Sequence, residues 1–553
     1  MRTIYSFDVF DTCLSRLCGS PRNLIEVLSV DVLRKMGINS SDNEHLRQLF
    51  VAARLDSDGS LEEKYAQVAK IIPLPCSIKE MVDMELSCER KMLKPIKHTF
   101  NLIESLRRDG DIIFISDMYL PSSFIKEILI KFDFFKEGDI LYVSDEIGAW
   151  KRDGSLYKLI HNQRGIPYKK WVHYGDNIRS DVQIPRKLGI HTHHLSFDYL
   201  PYEKQWKSIP SFRFQYASIV AGISRSIRLM RDASSSHVNF VCDISAPLLV
   251  ARVVHIMNEI QKRNIQDIFF CARDSHSEYL ISKCISIAFP NIIPHYLFIS
   301  REARDKDHQL LLKYLKQEGV ASKKSTAIVD ASTNGDTIKI INTLLCQNGY
   351  EPCLGYSLLY LNIYKNIPHQ ENELIHSDLM NLYTNILPYE GFKKAMNTLF
   401  PEHLFSLNLH RKTIGYSEHY GKIAPVFGED DNNGIQVPKY KELKRINDDI
   451  LTAWAKSFII TNCTSYADNV LYQIGLPSYL KFLVSPRKEY VGWLKHIQKN
   501  GDSMVKRVSL FNFLKIGNSW VQGCLAESLP TKTSQFVIKI IDSPRFRRFF
   551  NNK

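Results

Sequence analysis

Residues 4–12 read Ile-Tyr-Ser-Phe-Asp-Val-Phe-Asp-Thr, a mostly apolar run that ends on acidic side chains. Such a run is typical of a buried β-strand, and a strand here would place Asp8 at its carboxyl end. From about residue 21 to residue 94 the apolar side chains instead follow a helical spacing, with Pro and Gly between the runs. We interpret residues 18–95 as a helical cap that is inserted directly after the first strand.

Strand and helix patterns alternate in the stretch that follows this insertion. Short apolar runs predict strands, and the longer runs between them predict helices. Such alternation indicates an α/β fold with a parallel sheet wrapped by helices, in which ligands bind beyond the carboxyl ends of the strands. The predicted strands are 111–115, 140–143 and 171–174, and the predicted helices are 122–132 and 156–160.

Four polar elements follow the predicted strands in chain order. They are the segment 7–12, Ser116, Lys151 and the segment 175–181, which reads Gly-Asp-Asn-Ile-Arg-Ser-Asp. Taken singly, a Ser at a strand end is usually a turn residue, a lone Lys is usually solvated, and Gly-Asp-Asn is usually a turn. Taken together, the four elements are expected to meet at one edge of the sheet.

An acidic residue at such a strand end can carry out phosphoryl transfer. This chemistry needs an in-line nucleophile and cations around the equatorial phosphoryl oxygens, and a carboxylate can be the nucleophile. Asp8 would attack phosphorus and form an aspartyl-phosphate. A Mg²⁺ ion bound by Asp8, Asp176 and Asp181 would screen the repulsion between carboxylate and phosphate.

The order of the four elements resembles the haloacid dehalogenase (HAD) superfamily over roughly residues 1–200. Residues 172–177, together with Asp181 and the following Gly189-Ile190, are particularly similar to the fourth motif of that family. The resemblance implies a Rossmann-like parallel sheet that carries a helical cap. It also implies a hydrolase that acts on a phosphate ester and needs Mg²⁺.

The resemblance assigns roles to single residues as well. Ser116 would donate its hydroxyl to a phosphoryl oxygen, and Lys151 would neutralise that group while holding Asp8 in place. In the phosphatases of this superfamily the residue two positions after the nucleophile is a second Asp that protonates the leaving oxygen, whereas here it is Phe10. Phenylalanine cannot transfer a proton, and a lost general acid costs about 10²–10⁴ in rate. Asp11 is the nearest candidate to replace it.

The aromatic residue at position 10 leaves alternatives to a phosphatase open. It also resembles the haloacid dehalogenases of the superfamily, whose halide leaving group needs no proton. Their chemistry has no use for a metal, however, and the pair Asp176 and Asp181 implies one. A further alternative is a catalytically degenerate domain that binds phosphorylated ligands, or serves as a scaffold, without turnover.

The second half of the chain contains another series of strand and helix patterns. It predicts a second, Rossmann-like α/β domain over residues 215–380, after a link at 199–210. The first domain is accordingly placed at 1–205, and a mixed, mostly helical region is expected over 381–553.

One segment of this second domain, 270–276, places polar side chains directly after an apolar run. Arg273, Asp274 and His276 could form a second anion site together with residues 300–302. The alternative is an ion pair between the Arg and the Asp that merely ties one loop.

Another segment, 328–337, is faintly similar to the phosphate loop of phosphoribosyltransferases, whose backbone amides bind an anion. Those enzymes carry paired acids, whereas Asp330 is followed by Ala331, and a plain strand-to-helix turn is the alternative. A phosphoribosyltransferase-like second domain is therefore a weaker alternative function. The pattern of the whole chain also resembles predicted bacterial HAD hydrolases that are associated with surface-polysaccharide biosynthesis.

The charge of the chain favours anionic partners. Its 553 residues carry a formal net charge of +13, and no recognised nucleic-acid-binding motif accompanies that charge. We therefore expect a small phosphorylated substrate and no specific nucleic acid. The segment 543–550 mixes Arg with Phe and could make a weak contact with an anionic membrane surface, the alternative being a solvated end.

Two further patterns bear on the compartment. The acidic residue at position 8 interrupts any signal-like apolar core, and no run reaches about 18 apolar residues. The 11 cysteines include no Cys-x-x-Cys pair, which is typical of reduced, buried thiols. We expect a soluble cytoplasmic protein.

These observations predict a Mg²⁺-dependent phosphatase or phosphotransferase that acts on a small phosphorylated metabolite, with a sugar phosphate preferred. The substrate itself and the oligomeric state are left open. The predicted catalytic residues are Asp8, Ser116, Lys151 and Asp11, and the predicted metal ligands are Asp8, Asp176 and Asp181.

Overall fold

The chain divides into two compact units in the computed structural model. The first unit comprises residues 1–233 with 460–463, and the second comprises residues 234–459 with 464–553. The structure describes residues 2–39, 43–210, 214, 216–331, 335–357, 375–377, 404–407, 411–428, 437–499, 502–503, 505 and 520–541.

The first unit is built on a parallel sheet. The strands of this unit are β1 (Thr3–Phe7), β2 (Leu14–Arg16), β3 (Leu93–Pro95), β4 (Gly110–Ser116), β5 (Ile140–Val143), β6 (Trp171–Gly175) and β7 (His191–His194). Five of them form the sheet in the order β5-β4-β1-β6-β7, and every pair is parallel. After β1 the chain adds β4 and β5 on one side and then β6 and β7 on the other side, so the strand order reverses between β1 and β6. Ligands bind at such a reversal, beyond the carboxyl ends of the strands.

A helical insertion separates β2 from β3, which pair antiparallel with Leu14 opposite Pro95. Serine side chains accept hydrogen bonds from the first turns of three of its helices, at Ser20, Ser60 and Ser77. The insertion falls where the sequence predicts helices over 18–95. Its helices are Pro21–Lys35, Glu44–Leu55, Leu61–Val68 and Ile78–Met92.

A buried ion pair connects the helices of this insertion to the sheet. Arg54 donates two hydrogen bonds to Glu85, at 2.6 and 2.8 Å, and both side chains are nearly inaccessible. The Tyr119 hydroxyl, from the loop after β4, donates to the same carboxylate at 3.3 Å. Removing one member of such a pair would leave a buried charge uncompensated.

The other helices of the first unit cover the sheet and extend the unit to residue 233. The helix Ala217–Leu229 is buried along its whole length. The stretch 199–210, interpreted from the sequence as a link, contains the helix Pro201–Lys207, whose Glu203 accepts two hydrogen bonds from Arg228. The remaining helices are Lys97–Leu106, Ser122–Lys131, Ser144–Ile147, Ser155–Arg164 and Ile184–Lys187, with three-residue helical turns at Lys151–Asp153 and Tyr168–Lys170 and a six-residue π-helical segment at Ile178–Gln183.

The second unit contains a second parallel sheet. Its strands are β8 (Asp267–Cys271), β9 (Ile293–Leu297), β10 (Ala327–Asp330), β11 (Leu354–Ser357) and β12 (Ile375–Ser377), in the order β12-β11-β10-β8-β9. All four pairs are parallel, and the order reverses between β8 and β10. The predicted α/β class with two parallel sheets is therefore confirmed. The predicted boundaries at 205–215 and 380 remain predictions.

Helices and two antiparallel pairs complete the second unit. The pairs are β13 (Thr413–His419) with β14 (Lys422–Phe427), and β15 (Gln498–Lys499) with β16 (Asp502–Ser503). The helices are Ser236–Phe240, Val241–Ser245, Ala246–Lys262, His276–Ile285, Ser286–Ala288, Arg301–Lys306, His308–Gln317, Asp336–Gln347, Val437–Ile460, Cys463–Tyr466, Ala467–Val470, Leu471–Gly475, Leu476–Val484, Lys488–Val491, Gly492–His496, Val521–Ser528 and Thr531–Ile541.

One continuous helical run among the described residues, Ser236–Lys262, is long and apolar enough to cross a membrane by length and composition. It has 27 residues and a mean hydropathy of 1.7, and 94% of its apolar window is buried inside the protein. Burial of that extent is typical of a core helix in a globular unit, so the run is weak support for a membrane span.

Candidate active site

Asp8 lies directly after β1, at the point where the strand order reverses. Its backbone N–H donates to the Tyr174 carbonyl at 2.9 Å, and its side chain is buried. The Lys151 ammonium lies 2.5 Å from Asp8 Oδ1 and 2.7 Å from Asp181 Oδ1. One buried cation therefore bridges two carboxylates that are far apart in sequence, and three of the predicted site residues meet here.

Asp117 fixes the backbone that carries this lysine. Its carboxylate accepts from the Lys151 backbone N–H at 2.9 Å and from the Arg152 N–H at 3.3 Å. Asp117 follows Ser116, the last residue of β4, so the loop after β4 positions the lysine loop. Sequence reasoning missed Asp117, although an acid directly after the predicted strand-end serine is a usable signal.

The predicted metal ligands form one cluster. Asp8, Asp176 and Asp181 each offer a carboxylate oxygen, and these oxygens lie within 4.8 Å of one another. The Lys151 ammonium pairs with Asp8 and Asp181 only, so the three carboxylates of the cluster carry excess negative charge. Hard oxygen donors at this spacing, with charge left to neutralise, fit a Mg²⁺ ion.

The electrostatics of the cluster reflect that excess. Burial, opposed by Lys151 and reinforced by Asp181 and Asp176, raises the pKa of Asp8 to about 8. Burial, together with the charges of Asp11 and Asp181, raises the pKa of Asp176 to about 6. Burial also acts on Asp181, but Lys151 and His173 outweigh it and hold its pKa below the usual range. A bound divalent cation would favour the ionised form of all three carboxyls.

The turn after β6 brings Asp181 back toward the strand. Its Oδ2 accepts from the Asn177 backbone N–H at 3.0 Å, and Asn177 Oδ1 accepts from the N–H groups of Arg179 and Ser180. A Cβ atom on Gly175 would lie only 2.5 Å from the Asp181 side chain, so glycine is required at the end of β6.

A chain of buried polar contacts through His173 ends at Asp181. The Trp171 indole N–H donates to Ser6 Oγ at 2.7 Å, and Ser6 Oγ lies 2.7 Å from His173 Nδ1. His173 Nε2 lies 3.3 Å from Asp181 Oδ1. Burial lowers the pKa of His173, so the ring is neutral, and an N–H on Nε2 that faces Asp181 satisfies both contacts. Sequence reasoning missed this histidine, because an apolar strand context gives no sign of its partners.

Ser116, the last residue of β4, is buried. β4 lies beside β1 in register, with Phe114 opposite Phe7, so Ser116 lies at the same sheet edge as Asp8. Its hydroxyl makes no hydrogen bond to other described residues. Its predicted role, donation of the hydroxyl to a phosphoryl oxygen, remains a prediction.

Asp11, the predicted substitute acid, adopts a left-handed backbone conformation with φ of 59°. Its Oδ1 accepts from the Arg225 guanidinium at 2.8 Å. Arg225 belongs to the buried helix Ala217–Leu229 and also donates to the Phe197 carbonyl at 2.9 Å. Asp11 is therefore held in an ion pair near the cluster, and a proton transfer by its Oδ1 would require that pair to loosen.

Phe10 packs against a cation. The Arg16 guanidinium lies 4.4 Å from the centre of the Phe10 ring and donates to Glu89 at 2.9 and 3.1 Å. This arrangement stabilises an aromatic ring at position 10 by a cation–π contact. The position two residues after Asp8 thus has a structural partner and no group that can transfer a proton.

No protein-family model and no curated protein matches this sequence. Solved structures similar to about a third of the chain include a HAD phosphatase from Thermococcus onnurineus, 18% identical, with a TM-score of 0.27 and coverage of 36% of this chain and 87% of that one. The putative HAD-hydrolase YfnB from Bacillus subtilis, bound to magnesium, is 16% identical, with a TM-score of 0.25 and coverage of 36% and 91%. A predicted HAD-like family hydrolase from Porphyromonas gingivalis is 15% identical, with a TM-score of 0.26 and coverage of 38% and 100%.

Proposed function

We propose that the first unit is a Mg²⁺-dependent phosphatase or phosphotransferase of the HAD type that works through an aspartyl-phosphate on Asp8. The observation that carries the proposal is the cluster in which carboxylate oxygens of Asp8, Asp176 and Asp181 lie within 4.8 Å of one another, with the buried Lys151 paired to Asp8 and Asp181. A nucleophile, a buried cation and an oxygen-only metal cluster together are suited to phosphoryl transfer.

The first step forms a bond between an Asp8 carboxylate oxygen and phosphorus. The ester P–O bond breaks, and its electron pair stays on the leaving oxygen. Lys151, held to Asp8 at 2.5 Å, orients the attacking carboxylate and balances charge on the phosphoryl oxygens. Ser116 donates its hydroxyl to one of these oxygens. When bound, Mg²⁺ would neutralise part of the negative charge of the carboxylate and the phosphate as they approach each other.

The leaving oxygen needs a proton unless it is already a stable anion. Phe10 cannot supply one, and Asp11 is paired with Arg225. An aryl phosphate, whose leaving oxygen is a stable anion, should therefore react fastest, whereas a sugar phosphate requires Asp11 to leave Arg225 and protonate the leaving oxygen. In the second step a water or an acceptor oxygen attacks phosphorus, and the bond to Asp8 breaks to restore the carboxylate.

The helical insertion bears on the size of the substrate. We propose that its four helices act as a cap over the site, which would exclude bulk water and polymers and select small phosphorylated metabolites. A sugar phosphate, with a role in surface-polysaccharide biosynthesis, is the substrate we prefer, and the compartment we propose is the cytoplasm. The segment 543–550, for which the sequence allows a weak contact with an anionic membrane surface or a solvated end, lies outside the described residues.

A binding or scaffold module is the second candidate. It is favoured by the packing of Phe10 against Arg16 and by the ion pair of Asp11 with Arg225, since Phe10 has no proton to give and Asp11 is engaged. In that case the cluster would bind a phosphorylated ligand and Mg²⁺ without turnover. A phosphoribosyltransferase-like second domain remains a weaker alternative, and residues 332–334 of its candidate loop lie outside the described residues.

Trapping with beryllium fluoride tests the aspartyl-phosphate directly. In the presence of Mg²⁺ the protein should form an adduct that is visible by ¹⁹F NMR, because the trifluoride mimics a phosphoryl group on a carboxylate. Asp8→Asn should abolish the adduct and Asp176→Asn should weaken it through loss of the metal. An adduct that persists in Asp8→Asn would show that Asp8 is not the nucleophile.

A further inference from the structure

The second unit has a cavity of its own at the carboxyl ends of its parallel strands. Its volume is about 520 Å³, and it is lined by residues that follow β8 and β9, by Asp330 at the end of β10, by Thr337 and by the start of β13. The order of the second sheet reverses between β8 and β10, and the cavity lies beyond these two strand ends. This is where open α/β sheets bind ligands, and the volume is typical of sites for small molecules.

Hydrogen bonds between neighbouring elements hold the walls of the cavity. The Ala272 backbone N–H donates to the Leu297 carbonyl at 2.8 Å and ties the loop after β8 to β9. Ser300 accepts from the Ala303 N–H at 3.1 Å, and its hydroxyl donates to the Thr413 carbonyl at 2.5 Å. The segments 270–276 and 300–302, both identified from the sequence as candidates for an anion site, therefore line the same cavity.

The cations of the cavity differ in how far they are engaged. The Arg304 guanidinium donates to the carboxylate of Asp305 at 2.6 and 2.8 Å, and Lys412 pairs with Glu302 at 2.7 Å. Arg301 is exposed and makes no hydrogen bond or ion pair within the described part of the chain. Its donors are available to a ligand, and the planar guanidinium matches the oxygens of a phosphate.

Two further features of the lining select for more than a bare anion. Thr337 lies in the first turn of the 12-residue helix Asp336–Gln347, whose N-terminal backbone N–H groups favour a phosphate. Asp274 and the buried Asp330 also line the cavity. Carboxylates repel a simple anion but accept hydrogen bonds from hydroxyl groups. The lining therefore suits a ligand with a phosphate at one end and several hydroxyls at the other.

We infer that this cavity binds a small phosphorylated polyol, a sugar phosphate, with its phosphate on Arg301 and the helix N-terminus and its hydroxyls on Asp274 and Asp330. The site lies wholly within the second unit. It stands on its own lining and is independent of the reaction proposed for Asp8.

Calorimetric titration of the full chain with a panel of hexose and pentose phosphates tests the inference. The titrations use Asp8→Asn protein with a chelator present, so that turnover and metal-dependent binding in the first unit are excluded. At least one sugar phosphate should bind more tightly than its parent sugar and than inorganic phosphate. Arg301→Ala should weaken that binding about 10- to 100-fold, as expected for loss of a charge-assisted contact.

Two variants make the test specific to this cavity. Lys313→Ala removes another exposed cation of the second unit, one paired with Glu418 outside the cavity, and should leave the affinity unchanged. Asp274→Asn should narrow the difference in affinity between the sugar phosphate and inorganic phosphate. If adding Arg301→Ala to the Asp8→Asn protein left the affinity for the sugar phosphate unchanged, the proposed site would be overturned. Binding of inorganic phosphate as tight as that of every sugar phosphate, or no sugar phosphate bound below millimolar concentration, would overturn the ligand class.

Discussion

In the phosphatase proposed for the first unit, Phe10 should limit which substrates are turned over, because it occupies the position at which a proton donor is expected. Phe10→Asp should raise the rate of phosphate release from an alkyl phosphate, by up to about 10²–10⁴. The gain should be small for an aryl phosphate, whose leaving oxygen is stable without a proton. Steady-state rates on the two substrates measure the effect.

Phe10→Asn is the matched control for this substitution. It also removes the cation–π contact with Arg16 and has nearly the shape of aspartate, but it has no proton to give. Equal rates in the two variants would show that proton donation at position 10 is not what limits the reaction.

His237 should make the stability of the second unit depend on pH. Burial, with a smaller contribution from Lys439, lowers the pKa of this ring from 6.5 to about 3. Between pH 6.5 and 3 the unfolded chain therefore binds a proton here that the folded chain does not. Stability should fall as the pH decreases through this window, by up to about 1.4 kcal/mol per pH unit from this group.

Denaturant unfolding of native protein and of His237→Phe between pH 7 and 4 measures this contribution. The variant keeps an aromatic ring beside Trp493, whose ring centre lies 4.5 Å away, and it loses the titrating group. Its stability should decline less steeply with falling pH. Identical pH profiles would exclude His237 as a source of the dependence.

At the scale of elements, the helix Ala217–Leu229 presses against the loop after β2. A Cβ on Gly222 would lie 2.4 Å from the Gly19 nitrogen. Helix propensity alone predicts that Gly222→Ala stabilises by about 0.5–1 kcal/mol, whereas overpacking costs about 1–3 kcal/mol. The close backbone contact should win, so we expect net destabilisation in thermal or denaturant unfolding.

Asn101→Ala is the comparison for this prediction, since Asn101 is exposed on the helix Lys97–Leu106. It should be neutral or slightly stabilising. Because Arg225 lies one turn after Gly222, the Gly222→Ala variant should also disturb the pairing with Asp11. If the Gly222→Ala protein were as stable as native protein, the loop after β2 would have moved aside without a loss in the free energy of unfolding.

Four of the five strands of the first sheet could be predicted from the sequence because each is a short, mostly apolar run, whereas β7 reads His-Thr-His-His and was not predicted. That pattern located Asp8, Ser116 and Lys151 at one edge. The pair of Asp11 with Arg225 could not be predicted, since 214 positions separate the two residues. The contact of His173 with Asp181 was equally hidden, because the register of buried polar groups depends on tertiary packing.

At the scale of the whole molecule, two sheets carry two candidate sites, and ligands should act on them separately. Mg²⁺ should slow amide hydrogen exchange in the loops after β1 and β6, since a ligand stabilises the state that binds it. The loops after β8 and β10 should be unaffected by the metal. Hydrogen exchange followed by mass spectrometry resolves these segments, and protection confined to the second unit would place the metal elsewhere.

The two-sheet organisation was predictable from the alternation of strand and helix patterns, whereas the extent of each unit was less accessible. The buried helix Ala217–Leu229 belongs to the first unit, but its apolar residues fit a start of the second domain equally well. The spacing of apolar residues predicts that one face of a helix is buried, but it does not predict which sheet covers that face.

Mg²⁺-dependent phosphate release from an aryl phosphate and a panel of sugar phosphates, compared between native protein and Asp8→Asn, tests the central claim most directly. The account predicts release by the native protein that stops when Mg²⁺ is chelated and is absent in Asp8→Asn. Release that is equal in the two proteins, or no release from any substrate by the native protein, would contradict an aspartyl-nucleophile phosphatase.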